Sequence, residues 1–142
     1  QKCISWVPRL EKNVAPACVR QCPGRARHFG YINDKDGHIY KLVFDWKVAL
    51  PLHAEFGTSP NVFYIPPILP APLKPDGIPD TENSRVPTDY LRKLFGVGVD
   101  SALDIIKKER EKKEESELMN LLISRKWTDL MVPFHQPPVK ET

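Results

Sequence analysis

In Ala15-Pro16-Ala17-Cys18-Val19-Arg20-Gln21-Cys22-Pro23-Gly24 two thiols stand between two prolines. A proline fits the first helical position, because its missing N–H would have no intrahelical partner there, so Pro16 starts a short helix and Pro23 stops it. Four residues apart, Cys18 and Cys22 share one face of that helix. Upstream lies Cys3, with Trp6 three residues after it and twelve before Cys18. Downstream, the segments Arg27 to Ile32 and His38 to Phe44 read as two strands joined by Asn33-Asp34-Lys35-Asp36-Gly37. There Asp36-Gly37 supplies a positive-φ turn, and the expected element is a β-hairpin.

The charge around these cysteines is one-sided. Residues 1 to 30 carry six Lys and Arg side chains against Glu11 alone, while the rest of the chain is close to balanced, and the net charge is +3. Nucleic acid is not the partner this implies: only Trp6 and Phe29 interleave with the basic residues, and no helix-turn-helix, RNP or finger spacing is present. A thiolate-bound metal cluster carries net negative charge that nearby cations stabilise, which gives the basic residues a chemical reason to be there. The 142-residue length sets a ceiling of one domain. No run approaches the ~18 apolar residues of a membrane span, and no signal peptide is recognisable. Because the chain opens on Gln1 with a cysteine already at position 3, further chain is expected upstream.

Between Asp45 and Pro87 the text changes in kind. Nine of the fifteen prolines fall from Pro51 to Pro87, breaking helices and central strands and forcing extended geometry. Yet Val62, Phe63, Tyr64, Ile65, Ile68 and Leu69 follow in quick succession, an apolar load that a disordered linker would not carry. An ordered strap is expected, lying on an apolar surface that a partner supplies if this chain does not. Pro87-Thr88-Asp89 then opens a short helix bearing Tyr90, Leu91, Leu94 and Phe95, which Gly96 ends. Val99, Ala102, Leu103 and Ile106 recur at helical spacing in a second helix. The mixed charges from Lys107 to Glu117 read as its solvated face, and Leu118, Leu121 and Leu122 restore the apolar stripe. Trp127, Leu130, Met131 and Phe134 lie in a proline-ended tail expected to dock.

Cys3, Cys18 and Cys22 are the candidate metal ligands. Three thiols leave one over in any disulfide scheme. Zinc held by Cys3, Cys18, Cys22 and His28 has acceptable chemistry but lacks paired finger spacing, and three unrelated buried thiols are the remaining alternative. Cluster ligation is favoured, because a cysteine followed by a Cys-Pro pair is a familiar ending of iron-sulfur segments, where the last cysteine serves a second cluster. The isolated histidines His28, His38, His53 and His135 form no catalytic pattern. Gly96-x-Gly98 is a helix-breaking connection, and Asp34 and Asp36 lack the bidentate Glu of a calcium loop.

These residues carry a resemblance. Lys2 to Glu11, Ala15 to Ala26 and Phe29-Gly30 resemble the last cysteine motif of the four-cluster iron-sulfur beta subunits in the type II dimethyl sulfoxide reductase family of molybdoenzymes. That family includes respiratory nitrate reductase, nitrite oxidoreductase and the selenate, chlorate, ethylbenzene and dimethyl sulfide enzymes. The similarity continues through Trp46 to His53, Asn61 to Pro67, Arg85-Val86-Pro87 and Tyr90-Leu91.

The resemblance implies an α+β chain in three parts. Residues 1–45 would be the C-terminal part of a ferredoxin-like cluster-binding domain, 46–86 a proline-rich extended strap, and 87–142 a helical C-terminal region with a docking tail. It implies that Cys3 and Cys18 bind one iron-sulfur cluster and Cys22 the adjacent one, of the 4Fe-4S type, with the other cysteines outside this chain. Family members commonly have a cysteine where this chain has Trp6, and an indole is no substitute for a thiolate, so a 3Fe-4S cluster or a ligand such as Ser5 is the alternative at that cluster. The implied function is electron transfer without catalysis, between a molybdopterin-containing catalytic alpha subunit and a haem b-containing gamma subunit or other carrier. The implied setting is the periplasm or an equivalent compartment, with the cytoplasmic face of the membrane as the alternative. A zinc-stabilised interaction module is the competing function.

Overall fold

A computed structural model describes residues 7–12, 14–24, 26–80 and 85–123. The expectations placed on Cys3, Trp6 and the tail from 125 to 138 lie outside these residues. Two short helices, α1 (Val7–Leu10) and α2 (Ala17–Arg20), come first. Pro16 is the N-cap of α2, and Gln21 closes it through backbone bonds to Ala17 and Val19. Cys18 therefore sits within the helix, and Cys22 follows its last turn.

The expected hairpin is not formed. His38–Tyr40 is helical (α3) and continues as a π-helical turn over Lys41–Asp45. Gly37 takes φ −73°, ψ 145°, an extended N-cap and not a positive-φ turn. The Asp34 carboxylate accepts from the Asp36 N–H at 3.3 Å, and the Asp34 carbonyl accepts from Gly37 at 3.0 Å. This Asx turn feeds a helix start and leaves no strand to pair. The burial pattern explains the choice: Leu42 is buried and Val43 and Trp46 pack beside it, a spacing of 3.6 and not of 2. Lys47, at φ 54°, ends the run, and the Val48 and Ala49 N–H groups both bond back to the Leu42 carbonyl.

Further helices form where the periodicity placed them. α4 (Thr88–Phe95) starts from Pro87 and ends at Gly96, whose φ of 75° costs a side-chain-free residue little. α5 (Gly98–Glu111) buries Val99, Ala102, Leu103 and Ile106. The stripe does not run on in one helix: Lys113 is left-handed at φ 53°, a 3-10 turn covers Lys113–Glu115, and Ser116 caps a new helix, α6 (Glu117–Leu122). The Ser116 hydroxyl accepts from the Met119 N–H at 3.1 Å and donates to Glu109 at 2.6 Å. That reversal brings Leu118 and Met119 into the same core as Ile106 and Leu42. Arg92 ties α4 to α5, donating to both Asp100 oxygens at 2.9 and 3.0 Å and to Asp89 at 2.8 Å.

The strap lies on these helices, so this chain supplies much of the surface that the sequence left open to a partner. Phe63, Ile65 and Ile68 pack on the cluster of Leu42, Val48, Ala49, Ile106, Leu118 and Met119, while Leu50, Leu52 and Ile68 pack on Leu91, Phe95, Val99 and Leu103. Pro66 is fully buried. Leu50 and Tyr64 exchange two backbone bonds of 2.8 Å. A second small loop closes where Leu73 opposes Pro79. Along the extended backbone Phe63 and Ile65 point inward while Val62 and Tyr64 are 58% and 47% exposed, the alternation that extended geometry imposes. No helix among the described residues is long and apolar enough to cross a membrane.

Candidate metal centre

α2 is held by local bonds and by one side-chain brace. Val19 is its buried anchor, Cys18 is exposed and Cys22 half-buried, and both are free thiols. Arg27 Nη1 donates to the Cys18 carbonyl at 3.4 Å, closing the loop that runs Cys22-Pro23-Gly24. The chain then passes along α3: the position of a Cβ on Gly30 would lie 2.8 Å from Ile39 Cγ1, so only glycine permits this approach. His28 and His38 meet edge-on with ring centroids 5.8 Å apart. Burial lowers the His38 pKa, opposed by a hydrogen bond with the Phe29 backbone and by the charge of Asp34. In this way the thiol loop is linked to α3 and through Leu42 to the core.

No acidic residue occurs from Lys12 to Asn33, the segment that holds Cys18, Cys22, Arg20, Arg25 and Arg27. Thiolates gathered on a metal would be favoured by cations, and this stretch of sequence supplies basic side chains and no carboxylate. Among the described residues no group of three or more His, Cys, Asp or Glu could hold a metal ion. Cys18 and Cys22 are chemically suited to soft metals as thiolates, but the described residues alone do not complete a site. His28 stands against His38, and nothing described joins it to a zinc site with the two thiols.

Elsewhere the polar groups have structural work. His53 is left-handed at φ 49°; its N–H donates to the Leu94 carbonyl, and its ring pairs with Glu55 at 2.8 Å and stacks on Phe56. A cleft of about 310 Å³, lined by Asp36, Gly37, His38, Lys41, Trp46, Glu117 and Leu121, opens between α3 and α6, away from α2, and the Lys41–Glu117 ion pair of 2.7 Å crosses it. The brace from Arg27 was not visible in the sequence, where that residue counted only toward the basic excess; nine residues separate it from its acceptor.

The described residues thus form a two-thiol loop in a basic stretch of sequence, followed by a helical body on which a proline-rich strap lies. The homologues of this chain are beta subunits of type II dimethyl sulfoxide reductase family molybdoenzymes. Selenate reductase subunit beta of Thauera selenatis is 54% identical over 128 residues, which cover 87% of this chain and 39% of that protein. Chlorate reductase subunit beta of Ideonella dechloratans is 53% identical over 128 residues, with the same two shares. Respiratory nitrate reductase subunit beta of Haloferax mediterranei is 45% identical over 131 residues, 86% of this chain and 37% of that protein. The chain spans about two-fifths of the length of these relatives. No family-wide sequence profile matches it.

Proposed function

We propose that this chain is the C-terminal portion of an electron-transfer subunit that relays electrons between a molybdopterin catalytic subunit and a haem or other carrier, in respiratory chemistry of the nitrate or nitrite kind. The observation that carries this reading is the Cys18-x3-Cys22-Pro23 loop: two thiols of unequal exposure at the end of a short helix, in a stretch without a single carboxylate. Cys3 and Cys18 serve one iron-sulfur cluster and Cys22 its neighbour, with the other ligands outside this chain, in the closing part of a ferredoxin-like domain. When bound, such clusters supply one-electron carriers whose potential follows cluster type, charge and hydrogen bonding.

The protein's part is to fix and shield them. α2 carries Cys18 and leads the chain to Cys22, Pro23 turns the backbone away, and the link through Gly30 and α3 sets the loop against the core. The outward side chains of the strap give the catalytic subunit a surface to grip. The periplasm or an equivalent compartment goes with this reading, as does a haem b subunit on the far side of the relay. Metal and acid-labile sulfide analysis of the assembled complex, together with its visible spectrum, tests it. Iron with matching sulfide and broad thiolate-to-iron absorption is the expected result; stoichiometric zinc with a colourless beta subunit would replace the relay by a zinc-stabilised interaction module.

A further inference from the structure

The geometry points to Arg27 as the positioning residue that braces the Cys18 helix and, by its charge, raises the reduction potential of the cluster that Cys18 serves. This rests on the iron-sulfur reading given above and deepens it. Its guanidinium reaches back nine residues to the Cys18 carbonyl at 3.4 Å on the exposed surface, which places the cation beside the backbone of a ligand. No carboxylate is paired with it among the described residues, and the sequence offers none from Lys12 to Asn33. Arg92 is the contrast within the same chain: its charge is consumed by Asp89 and Asp100. Among the described residues, then, no carboxylate neutralises the Arg27 charge beside the Cys18 backbone.

The sign of the effect follows. Reduction adds one electron from an external donor to the cluster, making it more negative with no bond made or broken, and a fixed cation favours that state. A guanidinium is also always charged and forks several donors from one plane, so the brace and the field persist together at any working pH. Both Arg27 and Cys18 are exposed, so solvent and salt screen the field, and over this short distance they do not abolish it.

The experiment is a potentiometric titration, followed by electron paramagnetic resonance, of the assembled complex carrying Arg27→Gln or Arg27→Lys in the full-length subunit. The cluster concerned is identified as the one whose signal Cys18→Ser alters. With wild-type iron content, Arg27→Gln should shift its one-electron reduction equilibrium about tenfold toward the oxidised form, 59 mV lower, while Arg27→Lys recovers most of the difference. An iron-replete Arg27→Gln complex with an unmoved midpoint overturns the role of Arg27 alone, and so does an equal fall in both variants. If the Gln variant fails to assemble, the Lys variant decides: an assembled complex near the wild-type midpoint supports the inference, and a tenfold fall or a shared failure overturns it. A wild-type complex without iron overturns the electron-transfer reading itself.

Discussion

Asp100 shows how single side chains set the chain's response to acid. The Arg92 guanidinium bonds both of its oxygens and holds its carboxyl below the ordinary carboxylate range; Lys112 and Ser116 do the same for Glu109. A pKa lower in the folded chain than in the unfolded one gives stability that is present above the unfolded value and lost as pH falls through the folded one. His38, lowered by burial, acts with the same sign, beginning near pH 6.5. Denaturant midpoints should therefore fall first as pH drops below about 6.5 and again below about 4. In Asp100→Asn the lower-pH step shrinks; an unchanged step there would show that the Arg92 fork carries no net stability. At this scale the sequence was most legible where residues are chemically singular: Pro16 starts α2 and Gly96 ends α4 as their side chains dictate, whereas α2 closes at Arg20, short of Cys22 and Pro23. It was least legible where the partner is distant, as for Arg27 and Cys18 or Lys41 and Glu117.

At the scale of elements, periodicity decided success. α4 and α5 follow from caps and apolar spacing that agree with each other. The segment from His38 to Phe44 misled because its Ile, Tyr, Val and Phe content favours strands, while Ile39, Leu42, Val43 and Trp46 also stand at helical spacing, and packing on Ile106 and Leu118 decided between the two. The break between α5 and α6 was hidden inside a charge run, with Ser116 the one residue in it suited to a cap. Ser116 is 1% exposed and serves two bonds at once. Ser116→Ala should destabilise the chain by about 1 kcal/mol, read from chemical denaturation, and should also release the Glu109 carboxyl toward its usual range. No measurable loss would mean that α6 is held by Leu118 and Met119 alone.

Across the described residues, two buried clusters, with Ile68 packed against both, draw on the strap as well as the helices. Prolines made the extended conformation of the strap readable, but not which apolar residues this chain would cover itself, because that depends on helices forty residues away. What stays outward includes Val62, Tyr64, Leu73 (64% exposed) and Ile78, and under the proposed function these are the side chains available to the catalytic subunit. Replacing Tyr64 and Leu73 together by Ser should leave helix content unchanged and weaken association with that subunit at least tenfold, about 1.4 kcal/mol. Undiminished association would move the interface elsewhere.

The central claim is that the thiol loop closes a relay of iron-sulfur clusters, and Cys22 tests it most directly because it is assigned to a different cluster from Cys18. Iron and sulfide content and the resonance spectrum of the assembled complex should be compared with and without Cys22→Ala. One cluster should be lost or remodelled while the signal of the cluster served by Cys3 and Cys18 persists; full iron content with an unchanged spectrum would contradict the account.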